Sequence, residues 1–190
     1  MSLRERNKAR TRAAIRAAAL DLISRQGYQA TTVAQIADAA QVSHTTFFRY
    51  FETKEQVILA DDLDGEFERT LGEIPPGLNR FDLLRQMFSR LFELGSSDPW
   101  VSNPDRATLI RSEPTLLMAQ HAEMDRVITR TTEFIADYTG TSADDLRLRV
   151  FVGAMAGAVA HIVDKTVAPD EATHNDVLTA IDLLEQGLPL

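Results

Sequence analysis

Ser43, His44, Thr45 and Thr46 stand consecutively in the chain, and Arg49 and Tyr50 follow about one helical turn later. Hydroxyl groups of this kind reach phosphates or base edges, and threonine methyls suit the thymine C5-methyl group. Histidine donates or accepts at a purine edge, and arginine matches guanine or a phosphate. Thr32 and Lys54 fall where helices are expected to begin. Backbone N–H groups and the helix dipole favour a phosphate at such points. The chemistry is recognition of DNA.

Elements on either side must hold these groups. Ile15, Ala18, Ala19, Leu22 and Ile23 share one face of a first helix, which Gly27 caps. Thr32 with Gln35 forms a capping box, and Val33, Ile36, Ala37 and Ala40 give the next buried stripe. After a turn at Gln41-Val42, Ser43 is a suitable N-cap for a recognition helix over His44 to Tyr50. Two short helices joined this way place one helix end in the major groove while the other crosses the backbone. Thr53 and Gln56 repeat the capping box and predict a long helix to about Glu73, stopped by Pro75-Pro76-Gly77. Phe47, Phe48 and Phe51 are expected to pack the recognition helix onto the first and fourth helices, with Tyr28 also in packing. Arg4 to Arg12 is expected to be a disordered arm that adds backbone or minor-groove contacts.

Further helices are predicted at about 80–94, 104–111, 115–138, 143–167 and 171–187. Loops fall at Gly95–Pro99, at the Ser142-capped turn after Gly140, and at Ala168-Pro169, and Pro114 either separates two helices or kinks one. Period-two alternation is absent. The expected fold is all-α with about nine helices. A three-helix helix-turn-helix domain at 1–52 precedes a helical ligand-binding and dimerisation domain at 53–190.

The net charge of −8 is unevenly divided. Residues 1–57 carry nine Lys and Arg against five Asp and Glu, a net of +4; residues 58–190 carry 11 against 23, a net of −12. Arg4, Arg6, Lys8, Arg10, Arg12 and Arg16 supply most of the positive charge. Such asymmetry fits a nucleic-acid-facing head on an acidic body that repels phosphate. There is no cysteine, which excludes disulfides and thiolate metal sites and fits a reducing compartment. The basic N-terminus lacks the apolar core of a secretory signal, and the uncharged run from Val150 to Val163 reads as too short to span a bilayer. The reading is a cytoplasmic protein with no membrane association.

Ile15, Gly27-Tyr28, Thr31-Thr32-Val33, Ile36-Ala37, Val42-Ser43, Phe47-Phe48-Arg49-Tyr50-Phe51 and Lys54-Glu55 occur in order with intact spacing. Over about residues 10–57 the chain therefore resembles the TetR family of bacterial transcriptional repressors. Two residues depart from that pattern. Gln41 stands where the family has a turn glycine, so a left-handed backbone there would carry strain. Phe48 replaces a tyrosine whose hydroxyl reaches phosphate, so that contact is expected to be missing.

The resemblance implies a small-molecule pocket among the helices from about 53 to 138, and pairing of the last two helices with a second subunit. Pocket candidates are Phe67, Phe88, Phe92, Trp100, Met118, His121, Met124 and Phe134, with Phe151 and Met155 beneath; Leu91 is also considered. Taken singly, each reads more readily as plain core. Dimer candidates are the small residues Gly153, Gly157 and Ala160 and the stripe of Val177, Ile181 and Leu184, although such stripes could bury within their own domain.

The function expected is a repressor that leaves a palindromic double-stranded DNA operator when a small, largely apolar effector binds. A ligand-independent architectural DNA-binding protein and an activator remain open alternatives. No catalytic constellation is visible: there is no phosphate-binding Gly-rich loop, nucleophile elbow or helical metal-binding pair. No cofactor and no metal are expected, and His121 and His161 read as core or pocket-rim residues.

Overall fold

A computed structural model of the chain describes residues 2–61, 63–163 and 170–189. The expected break at Ala168-Pro169 and the end of the expected 143–167 helix lie outside these residues, as does Asp62. Among the described residues there are ten α-helices and no strand: α1 (Leu3–Gln26), α2 (Val33–Ala39), α3 (His44–Tyr50), α4 (Lys54–Leu59), α5 (Asp64–Gly72), α6 (Arg80–Ser97), α7 (Pro104–Ser112), α8 (Pro114–Thr139), α9 (Leu146–Val163) and α10 (Glu171–Glu185). They form two compact units, one of residues 1–60 with 108–120 and the other of residues 61–107 with 121–190.

In the first unit, α1 begins near the N-terminus. Ser2 accepts from the Glu5 N–H while the Glu5 side chain accepts from the Ser2 N–H, forming a capping box. No glycine or proline interrupts the chain before Gly27, which ends α1 with φ of 84°. Arg4 to Arg12 is thus helical, which corrects the expected disordered arm. Ile15, Ala19 and Ile23 bury one face of α1, against which α2 and α4 pack, and α2 in turn contacts α3. Gln41 adopts φ of 56° in the turn between α2 and α3, the left-handed conformation anticipated from the missing glycine.

The predicted helix over 53–73 is two helices. At Ala60 the backbone extends to φ −66°, ψ 138°, and its carbonyl accepts from Arg16 Nη2 at 2.6 Å. Asp61 Oδ1 then accepts from the Leu63 N–H at 3.1 Å in a tight local turn. A cationic donor from α1 takes the carbonyl at the break, which a sequence pattern cannot register. α4, with Val57 and Ile58 fully buried, packs on α1.

The second unit is built around Leu83, Leu84 and Met87 of α6, Ile135 and Ala136 of α8, Leu148, Val152 and Met155 of α9, and Val177 and Ile181 of α10. α10 contacts both α6 and α9. Arg85 reinforces the α6–α10 seam by pairing with Asp182 at 2.6 Å and with Glu185. The Tyr138 hydroxyl accepts from the Leu78 N–H at 3.0 Å and donates to the Pro75 carbonyl, fixing the turn that precedes α6. Pro114 is the first residue of α8, where its missing N–H has no helical role, so it separates two helices rather than bending one.

Candidate functional site

The leading end of α3 is built from outward-facing polar groups on an apolar anchor. Phe47 is 0% exposed and Phe51 1% exposed, four residues apart on the inner face. Ser43, His44, Thr45 and Arg49 are exposed, while Thr46 and Tyr50 are half-buried. Ser43 caps α3, its Oγ accepting from the Thr46 N–H at 3.0 Å and donating to Thr46 Oγ1 at 2.9 Å. The Arg49 guanidinium lies 5.2 Å from the Tyr50 ring centre.

Phe48 is 44% exposed, which corrects the expectation that it packs inward. Four residues from His44, it shares that residue's outer face, and the two rings meet edge-on at 4.8 Å. The aromatic side chain thus braces His44 and leaves its face open at the position where the resemblance implies a phosphate-binding tyrosine.

Thr32 is exposed and caps α2, its Oγ1 accepting from the Gln35 N–H at 3.2 Å. Lys54 sits at the start of α4, but its ammonium turns inward. It donates to the carbonyls of Tyr28 at 2.7 Å and Thr31 at 3.0 Å and stands 3.9 Å from the Tyr28 ring centre. A phosphate would meet the backbone at this helix end rather than the Lys54 side chain. Beside it the buried Tyr28 hydroxyl donates to Glu55. Burial and that bond raise the Tyr28 pKa above the ordinary phenol range. For Glu55, burial works upward, but the Tyr28 hydroxyl and neighbouring donors bring the net shift below the usual carboxylate value.

The basic N-terminus is divided in the same way. Arg4, Arg6, Lys8 and Arg10 are exposed along α1. Arg12 and Arg16 instead face the core of their own unit, with their guanidinium carbons 4.6 and 5.7 Å from the Phe51 ring centre. Nothing in the charge pattern distinguishes these two from the other four.

In the second unit a cavity of about 160 Å³ lies between helices α6, α8, α9 and α10. It is lined by Leu84, Met87, Phe88, Leu91, Met124, Val127, Ile128, Thr131, Val152, Met155, Ala156, Val159 and Ile181. Phe88, Met124 and Met155, with Leu91, are therefore brought together at one site. The other seven pocket candidates lie elsewhere. Phe67 carries Arg130 over its ring at 5.1 Å, Trp100 carries Arg106 at 5.5 Å, and Phe151 packs edge-on to Phe81 at 5.3 Å. Phe92 stacks on His174 at 4.6 Å, and Phe134 packs against Tyr138 at 6.2 Å. His121 is exposed. Met118 is 75% exposed and belongs to the first unit, which removes it from the cavity. Much of the lining is ordinary aliphatic side chain such as Val127, Val152 and Val159, which sequence gives no reason to single out. Among the described residues no cluster of His, Cys, Asp or Glu is arranged to hold a metal ion.

The dimer candidates divide too. Val177 and Ile181 are 0% exposed within their own protomer and belong to its core, a correction that follows from α10 lying between α6 and α9. Leu184 is half-buried against that core. Gly153, Gly157 and Ala160 are exposed, and with Leu146 and Val150 they form an outward face of α9. This 18-residue helix has a mean hydropathy of 1.5 and is apolar enough by length and composition to cross a membrane, unlike the shorter run considered from sequence. Its inner face nevertheless supplies Leu148, Val152 and Met155 to the core.

Comparison with known proteins gives two family matches. Residues 15–60 match the family described as bacterial regulatory proteins of the tetR family, and residues 78–189 match the MftR C-terminal domain. The HTH-type transcriptional regulator TcmR of Streptomyces glaucescens is 33% identical over 172 residues, covering 86% of this chain and 75% of that protein. The HTH-type transcriptional repressor KstR of Rhodococcus jostii is 34% identical over 84 residues, covering 43% of this chain and 39% of that protein. Among solved structures, FadR of Thermus thermophilus, a TetR-family repressor in complex with lauroyl-CoA, aligns with a TM-score of 0.55 at 24% identity, covering 94% of this chain and 95% of that one. A TetR-family regulator from Mesorhizobium loti aligns at 0.59 and 17% identity, covering 95% and 97%. At such identities the structural likeness is one of fold.

Proposed function

The chain belongs to the TetR family of bacterial regulatory proteins, DNA-binding regulators rather than enzymes, and from that premise we propose a cytoplasmic homodimeric repressor that a small apolar ligand releases from a palindromic operator. The observation that carries the DNA-binding part is the presentation of His44, Thr45 and Arg49 on a helix anchored by fully buried Phe47. Rigid anchoring fixes the angle at which that helix end enters the major groove. Thr32, Ser43, Thr46 and Tyr50, with the backbone at Lys54, lie alongside as backbone-positioning groups.

Two such heads must sit roughly 34–36 Å apart to reach successive major grooves on one face of DNA. The outward face of α9, from Leu146 through Gly157 to Ala160, is the surface that a second copy would cover; small residues there permit close helix approach. The same helix packs on α10 through its other face, which leaves this one for a second copy.

The cavity favours a ligand-responsive regulator over an architectural protein, because an architectural bundle has no reason to leave an apolar hollow of about 160 Å³ between its helices. FadR, with its lauroyl-CoA, is an example of the fold holding a molecule with a long apolar part. Release follows if the ligand binds preferentially to a protomer arrangement in which the head spacing is wrong for DNA. The test is selection of genomic fragments by purified protein, followed by a screen for molecules that detach it from the recovered fragments. Recovery of a two-fold symmetric sequence that an apolar compound releases supports the reading; recovery of no preferred sequence overturns it.

A further inference from the structure

Among the described residues, Thr131 is the one polar side chain lining the cavity of the second unit. Three other threonine hydroxyls of α8 return to their own helix: Thr129 donates to the Asp125 carbonyl at 2.9 Å, Thr132 to Ile128 at 2.8 Å and Thr139 to Ile135 at 2.7 Å. Thr131 makes no such bond, nor any other side-chain hydrogen bond, among the described residues. Thr131 is half-buried, and its hydroxyl, not engaged by its own helix, can exchange solvent for a ligand's donor or acceptor at a small net gain.

The rest of the cavity narrows what such a ligand can be. Among the described residues no charged side chain lines it, so an ionised group drawn inside would lose its hydration without an opposite charge in return. Met87, Met124 and Met155 contribute three flexible walls that can reshape around different outlines. The volume of about 160 Å³ is close to that of an engineered cavity in another protein, roughly 150 Å³, which accepts benzene. Val127 lines the cavity yet is 49% exposed, so the space reaches the surface beside it.

We propose that Thr131 is the specificity determinant of this cavity, which takes an uncharged group of about one ring or a short alkyl chain bearing a single oxygen hydrogen-bonded to the Thr131 hydroxyl. This inference rests on the sensor reading above. It adds the ligand's chemical class and identifies the residue that tells an oxygen-bearing molecule from its hydrocarbon analogue. Any charged portion of a larger molecule stays outside the cavity, in solvent.

The experiment uses the full chain and three fluorinated probes followed by fluorine NMR: 4-fluorophenol, 4-fluorotoluene and 4-fluorobenzoate at neutral pH. The phenol is expected to bind about three- to tenfold more tightly than the toluene, the range a single net hydrogen bond supplies. The benzoate should not bind measurably. Thr131→Val keeps the shape and removes the hydroxyl; it should bind phenol and toluene equally while unfolding no earlier than the parent. Met155→Trp fills the space and should abolish binding of both. Preference for phenol that survives Thr131→Val, or benzoate binding as tight as that of phenol, overturns the inference. Failure of the sensor reading is seen separately: Thr131-dependent binding that leaves DNA affinity unchanged removes regulation but keeps the site, whereas release of DNA by ligands indifferent to Thr131→Val does the reverse.

Discussion

The guanidinium carbon of Arg12 lies 4.6 Å from the centre of the Phe51 ring, and Arg12 Nη1 donates to the Tyr50 carbonyl at 3.4 Å. An arginine of the basic N-terminus therefore holds the C-terminal end of the recognition helix against α1. The run of cations is thus divided between members that hold the fold and members that face solvent. Arg12 and Arg16 face inward, and Arg4, Arg6, Lys8 and Arg10 face outward.

That division predicts two kinds of variant. Arg12→Ala should lower the thermal midpoint, because it removes a cation–aromatic contact and a hydrogen bond together. Replacing Arg4, Arg6 and Arg10 together by Ala should leave the midpoint in place. It should also flatten the dependence of log affinity on log salt, by up to about 0.9 for each phosphate that is no longer neutralised. Melting curves and a salt titration of DNA binding separate the two sets; identical behaviour of both would contradict the assignment.

The Tyr28–Glu55 bond gives the first unit a pH dependence at both extremes. Glu55 has a lowered folded pKa, so its contribution is present above the ordinary carboxylate pKa of about 4.3 and is lost as pH falls through the folded value. Tyr28 has a raised pKa, so its contribution holds below about 10 and is lost as pH rises beyond that. The stability difference between the parent and Glu55→Gln should therefore shrink as pH drops below about 4. Denaturant titrations over a pH series measure this, and a constant difference throughout would refute it.

Core and interface on the last two helices should separate cleanly. Ile181→Ala removes a fully buried side chain and should cost about 2–5 kcal/mol. A Cβ at Gly157 meets nothing within 4 Å in its own protomer. Gly157→Arg should then leave the protomer folded but yield monomers by light scattering. A dimeric Gly157→Arg protein would place the partner surface elsewhere.

Gln41 offers a gain of stability. Its φ of 56° suits glycine better than a residue with a Cβ, so Gln41→Gly should stabilise the head by about 0.5–1 kcal/mol, after the added flexibility of the unfolded chain is counted. Unfolding by urea would register the change; a loss of stability would show that the Gln41 side chain contributes more than the strain removes.

Much of the head was legible because local signals there act locally. Capping by Thr32, Ser43 and Thr53, the glycine stop at Gly27 and the turn at Gln41 each specify a few neighbouring dihedrals, and each occurs where expected. Features that depend on distant partners were not legible. The break at Ala60 needs Arg16 from α1, and the inward turn of Arg12 needs Phe51. Periodicity marks Val177 and Ile181 as apolar and co-facial but does not say whether their face meets its own core or another subunit. Pocket residues were hardest, since a cavity is a shortage of volume among several helices rather than a property of large side chains. Phe67, Phe92 and Phe134 found ring or cation partners instead, while Thr131 carries no signal until its neighbours are placed.

The central claim is that the exposed polar residues of α3 read DNA. Its most direct test is the affinity of Thr45→Ala and Arg49→Ala, each measured by fluorescence anisotropy on a genomic fragment selected by the parent protein, with circular dichroism as the check on folding. Both variants are expected to fold normally, with Arg49→Ala losing about tenfold or more in affinity, the scale of about 1–3 kcal/mol for an arginine–base contact. Parental affinity in both folded variants would contradict the account.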